Sequence, residues 1–201
     1  MASVTRWAFA IIFAASPVIA APDRALAAPS YVAFDGFAPG TIVVRQHERA
    51  LYLSLGQGGA IRYPVAVGKA GKQWRGRSFV DGKYVNPAWS PPREVKRDKP
   101  SLPDVIPGGS PKNPMGVRAL TLNGGEYAIH GTTRSMRGSI GSAASYGCIR
   151  MYNEDIVDLF ARVRVGTPVA VLPRRRWRLN LPMQGPPMQA FRAVLISARS
   201  I

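Results

Sequence analysis

The chain holds one cysteine and two histidines, so its possible nucleophiles and imidazole bases are quickly counted. Cys148 lies in Ser145-Tyr146-Gly147-Cys148-Ile149-Arg150-Met151, eighteen residues beyond His130. A thiol attacks well only as thiolate, and an imidazole within hydrogen-bond reach can take its proton. A base at the end of a strand facing a nucleophile in a tight glycine-containing turn is a layout for acyl transfer. Gly147 permits close backbone approach, so N–H groups around 146–148 can point at a developing oxyanion. A single cysteine excludes an intramolecular disulfide and a cysteine-rich zinc module, and two histidines exclude a multi-histidine metal site. His47, in the polar turn His47-Glu48-Arg49, reads as a solvated loop residue.

The elements that must hold this pair are mostly strands. His130 ends the run Tyr127-Ala128-Ile129, joined through Asn123-Gly124-Gly125 to a strand over Ala119–Leu122. Upstream, Thr41–Val44, Ala50–Leu55 and Ile61–Val67 alternate with period two, and Gly56-Gln57-Gly58-Gly59 signals a hairpin turn. After the cysteine, Asn153 reads as a helix N-cap with Glu154 and Asp155 in the first turn. Ile156, Phe160 and Val163, widened by Val157 and Leu159, form the apolar stripe of that helix. Gly166 suits its stop, and Val169–Leu172 makes a last strand. Residues 71–114 are rich in Trp, Pro, Lys and Arg with little periodicity. They read as an ordered cap, for which Trp74, Tyr84 and Trp89 argue because they need surfaces to pack on, or as an irregular connection.

Composition agrees with a β-rich domain. Gly and Pro together make 38 of 201 residues, well above the average of about 12%, which argues against a helical bundle or coiled coil. At 46% apolar residues the chain is too hydrophobic to be disordered throughout. Residues 1–27 look like an export signal: Arg6 precedes the apolar run Trp7–Ala15, with cleavage expected after Ala20 or Ala27. Residues 28–39 read as a linker. The 27 basic against 11 acidic residues leave a net charge of +16, and residues 173–201 form a basic tail with no acid. An exported chain meets little nucleic acid, so anionic envelope polymers and lipid surfaces are the expected counterparts, with peripheral contact through the tail.

The segments His130-Gly131-Thr132, Ser139-Ile140-Gly141 and Ser145–Met151 resemble the catalytic signature of L,D-transpeptidases with a YkuD-type domain. Tyr63-Pro64-Val65-Ala66-Val67-Gly68, Pro87-Ala88-Trp89 with Pro91-Pro92, Asn113-Pro114-Met115-Gly116 and Gly166-Thr167-Pro168-Val169 follow the family's order. The likeness spans about residues 40–172. It implies a mainly β, YkuD-like β-sandwich catalytic domain with one short helix after the cysteine. It also implies that Cys148 is the nucleophile and His130 the general base and later acid, with the imidazole oriented by the Gly131 carbonyl. Tyr146, Gly147 and Arg150 would support the site, Arg150 by steadying it or the substrate's carboxylates, and Ser145 would brace the turn. The family usually carries histidine where this chain has Tyr146.

The substrates so implied are peptidoglycan stem peptides of the meso-diaminopimelate type, in the periplasm or cell envelope, with no metal or organic cofactor. Acyl transfer would run from the third stem residue through a Cys148 thioester to an amine. A stem peptide as acceptor gives a 3→3 cross-link, and an envelope protein becomes anchored to the wall. Water as acceptor would make the chain an L,D-carboxypeptidase. A reading from another class is a non-catalytic envelope-binding protein in which Cys148 is inert.

Overall fold

The computed structural model describes residues 29–172; the export-signal and basic-tail readings fall outside them. The strands in chain order are β1 (Ser30–Ala33), β2 (Ile42–Arg45), β3 (Ala50–Gly56), β4 (Gly59–Pro64), β5 (Val67–Gly68), β6 (Gly76–Val85), β7 (Arg118–Leu122), β8 (Tyr127–His130), β9 (Ala143–Ser145), β10 (Ile149–Arg150) and β11 (Pro168–Leu172). Helix α1 (Arg93–Asp98) lies between β6 and β7, and α2 (Asn153–Arg162) between β10 and β11. Nine strands form one sheet in the order β1-β4-β3-β2-β11-β6-β7-β8-β10, and β5 pairs with β9 separately.

Alternation explains the first half of the sheet. Ile42 and Val44, Leu51 and Leu53, and Ile61 and Tyr63 all enter the main apolar core. Their neighbours Val43, Ala50, Tyr52 and Ala60 face the other way, into a second cluster closed by Phe34. The chain between β3 and β4 turns through Gln57 (φ 51°) and Gly58 (φ 77°), the left-handed pair that matches strand twist in a tight hairpin.

The other half folds over the first. Leu120, Leu122, Ile129 and Ile149 join the same main core, together with Ile156 and Leu159 of α2. The hinge is β6: its first half pairs with β11 and its second with β7, with a register shift between Val80 and Gly82. A bulge of this kind bends a strand sharply. A Cβ on Gly82 would lie 2.6 Å from Thr121 Oγ1, so the crossing tolerates no side chain there. The result is mainly β and sandwich-like, as expected.

Several local expectations change. A ten-residue strand, β6, runs through the segment that seemed aperiodic. Arg77 and Phe79 are exposed, and Lys83, opposite Leu120, sends its ammonium to the Phe160 and Val163 carbonyls at the end of α2, so the apolar alternation is weak. A second helix, α1, joins the one expected after the cysteine. Ser30–Ala33, inside the stretch read as linker, pairs antiparallel with β4. The run Ile61–Val67 breaks at Pro64, which has no amide to continue a ladder. Tyr152 rather than Asn153 caps α2, because Asn153 Oδ1 instead accepts the Thr132 amide at 2.9 Å. The helix ends at Val163, and Gly166 lies in the turn beyond it.

Candidate active site

β10 pairs parallel with β8, setting Ile149 opposite Ile129 and Arg150 opposite His130. Side chains alternate across a sheet. Since Ile129 and Ile149 point into the core, the flanking His130 and Arg150 face away from it, and Cys148, two positions before Arg150, is brought to the same side. All three open into one cavity of about 820 Å³. The eighteen-residue separation between base and thiol is thus spanned by a loop, a short 3₁₀ segment (Arg134–Ser139) and β9.

His130 is 4% exposed. Its Nδ1 lies 2.8 Å from the Gly131 carbonyl oxygen, which favours the Nδ1-protonated tautomer and leaves Nε2 free to accept a proton. Burial first and the Arg150 guanidinium second push the imidazole down to about 4, against the opposing pull of the Gly131 and Pro114 carbonyls. Burial raises the Cys148 thiol, while the Ala128 amide and Arg150 act the other way. Both shifts favour neutral partners, so the resting site holds thiol and imidazole rather than an ion pair.

The turn before the cysteine is tightly held. Ser145 Oγ donates to the Cys148 carbonyl at 2.6 Å and accepts the Gly147 amide at 3.1 Å. Of the three amides offered to an oxyanion, that of Gly147 is therefore engaged. Those of Tyr146 and Cys148 meet no protein acceptor among the described residues. Gly147 has φ 126°, and a Cβ there would press 2.9 Å from the Tyr127 ring, so both conformation and space require glycine. Trp74 Nε1 donates to the Gly147 carbonyl at 3.1 Å, and the indole stacks on Tyr127 with centroids 4.7 Å apart.

Arg150 is 8% exposed and has no acidic partner among the described residues. One guanidinium nitrogen donates to Ser139 Oγ at 2.7 Å, whereas its Nε finds no acceptor. Ala66 clamps its backbone through a reciprocal pair of hydrogen bonds at 2.8 and 2.9 Å. Gly131 is packed as closely: a Cβ there would fall 2.2 Å from Asn153 Oδ1. Tyr146 turns its ring towards the cap, where its hydroxyl donates to Asp98 of α1 at 2.8 Å and Lys69 Nζ stands 3.8 Å from the ring centroid. Lys72 pairs with Glu94 of the same helix.

Residue reasoning missed the supporting roles of Tyr127, Asn153, Pro114 and Asp98. Asn153 carried a misleading local signal, and Asp98 stands 48 residues from its partner Tyr146, beyond any local pattern. Among the described residues no group of three His, Cys, Asp or Glu side chains gathers to hold a metal ion.

Comparison with known proteins adds independent findings. The family profile described as the L,D-transpeptidase catalytic domain (YkuD) matches residues 39–171. The protein named "Probable L,D-transpeptidase YbiS" from Escherichia coli strain K12 is 37% identical over 138 residues, 65% of this chain and 43% of that protein. A Fuscovulum blasticum protein carrying the same family designation is 36% identical over 143 residues, 69% of this chain and 72% of that one. The solved L,D-transpeptidase from Mycobacterium smegmatis shares the fold, with a TM-score of 0.53 at 19% identity, covering 66% of this chain and 58% of that one. The chain spans less than half the length of the E. coli relative it matches.

Proposed function

This chain belongs to the L,D-transpeptidase (YkuD) family, and we propose that it transfers the acyl group of the third stem-peptide residue of peptidoglycan through a Cys148 thioester to an amine. The observation that carries the reading is the arrangement of Cys148, His130 and Arg150 on one face of β8 and β10, opening into a single cavity.

In the first half-reaction the Cys148 sulfur attacks the carbonyl carbon of the third residue while His130 Nε2 takes the thiol proton. The amides of Tyr146 and Cys148 receive the developing oxyanion. Collapse breaks the bond to the terminal D-alanine, and His130 returns the proton to its departing nitrogen. In the second half an amine attacks the thioester, His130 takes its proton, and the sulfur leaves to be reprotonated. General-base help of this kind is worth about 100- to 10,000-fold, and each oxyanion donor about 100- to 1,000-fold. The Gly131 carbonyl holds the tautomer that both halves need. Arg150, positive and unneutralised beside the sulfur, favours the thiolate and oxyanion once they form, or meets a substrate carboxylate.

The amine belongs to a second stem peptide, giving a 3→3 cross-link, or to an envelope protein, which becomes wall-anchored; water in its place gives carboxypeptidase activity. Location in the periplasm or envelope, a catalytic domain over 40–172, cleavage of the export signal after Ala20 or Ala27 and anionic contact through residues 173–201 complete the reading. The test is incubation of the full chain with disaccharide tetrapeptides and identification of products by mass. Loss of D-alanine with a dimer is expected, and replacing Cys148→Ala should abolish it. Turnover that survives this replacement overturns the assignment.

A further inference from the structure

The cavity beside Cys148 carries an uneven charge. Four of its lining residues are cationic, Lys72, Lys99, Lys112 and Arg150, against two acidic ones, Glu94 and Glu126. Glu94 is neutralised by Lys72 and by Arg97 at 3.6 Å, and Glu126 engages Tyr127. Other lysines of this region also have partners: Lys69 meets Asp98 at 3.8 Å and Lys96 meets Asp104 at 2.8 Å. Lys99 and Lys112 have no acidic partner among the described residues, although both line the cavity.

Neither lysine hangs on a loose strand of chain. Lys99 closes α1, its amide donating to the Val95 carbonyl at 2.9 Å. Lys112 precedes Asn113, which is 1% exposed. The Asn113 side chain donates to the carbonyls of Pro87 (2.8 Å), Ile106 (3.2 Å) and Pro107 (3.0 Å) and accepts the Met115 amide (2.9 Å). Two lysines without an acidic partner are thus carried on a framed cap at the wall of a cavity that is also lined by Arg150, a third cation without one. A ligand with two or more carboxylates fits this field better than a neutral one.

We propose that Lys99 and Lys112 are specificity-determining residues that read the free carboxylates of the donor stem peptide, an inference that rests on the transpeptidase reading above. A γ-linked D-glutamate leaves its α-carboxylate free, and a diaminopimelate residue keeps one on its distal carbon. The chain therefore favours stem peptides bearing these acids over those in which they are amidated. Neither acid takes part in bond breaking, so the lysines act on substrate affinity rather than on chemistry.

The test is calorimetric binding of free-acid and diamidated disaccharide tetrapeptides to the full chain carrying Cys148→Ala, which holds substrate without consuming it. The free acid should bind more tightly, each lysine contributing about two- to fivefold, and the preference should shrink as salt is raised. Adding Lys99→Met with Lys112→Met should bring the two ligands to equal affinity. Lys99→Arg with Lys112→Arg should retain the preference, and matched unfolding temperatures show that the cap is intact. Equal binding of both ligands to the chain with both lysines, or a preference that survives the methionine pair, overturns the proposal. Tight, acid-selective binding without turnover by the Cys148 chain sinks the transpeptidase activity but not the lysines' role; turnover with indifference to amidation does the reverse.

Discussion

His130 works as a base only in its neutral form, and its buried setting next to Arg150 holds it near 4. The acid limb of kcat/KM reports the free enzyme's essential base. Acylation of Cys148 by substrate should accordingly rise with pH through about 4 and show no further acid-side step near 6.5, where an ordinary histidine titrates. Stopped-assay rates from pH 3 to 8 check this; a limb centred near 6.5 would place the working imidazole in a wetter environment than the one described. At this scale much was legible beforehand. The rarity of cysteine and histidine singles out two residues, and the glycine beside the thiol marks a special backbone. What could not be read is which amides the turn keeps free, since that depends on the Ser145 hydroxyl choosing the Gly147 N–H.

Elements such as β2, β3, β4, β8 and α2 could be seen in advance, the strands as short runs of strand-forming apolar residues bounded by turn signals and α2 by its apolar stripe. β6 could not, since its side chains follow no clean alternation, with Phe79, Tyr84 and Val85 exposed, and it is bulged in the middle and shared between two partners. Asn153 sits where composition suggests a cap, but a tertiary donor, the Thr132 amide, captured its side chain. The relation between α1 and the catalytic turn is equally non-local. Tyr146 and Lys69 reach Asp98, and Lys72 reaches Glu94, so the turn carrying the nucleophile also holds the cap in place. Tyr146→Phe removes only the hydroxyl. It should speed amide hydrogen exchange over 93–99 and raise KM several-fold while leaving the alkylation of Cys148 by iodoacetamide largely intact. An equal loss in kcat with KM unchanged would mean that the tyrosine acts on the chemistry instead.

For the molecule as a whole, one buried group opposes folding at neutral pH. Asp155 is fully buried, and neither of its carboxylate oxygens has a partner among the described residues. Burial, with Glu154 and Asp158 nearby and only Arg137 acting oppositely, raises it to about 7. The unfolded value is about 3.9, so the folded chain binds the extra proton between these limits. Stability from this group is present at pH 4 and lost as pH rises through 7. Asp155→Asn should raise the melting temperature at pH 8 by several degrees, since each kcal/mol is worth about 2–4 °C at this size, and the gain should fade at pH 5. Thermal scans at both pH values decide it; an equal shift at each would point to packing rather than ionisation. The shared strand β6 has a different consequence. Because β11, from the far end of the chain, lies between β2 and the first half of β6, no single cut through β6 yields two pieces that each keep their strands. The stretch between β6 and β7 is free of that constraint, yet it supplies α1, Lys99 and Lys112 to the cavity wall. Exchanging this one surface insert should therefore shift substrate preference, and because Pro114 and Asp98 travel with it, the settings of His130 and Tyr146 must be restored in the same exchange.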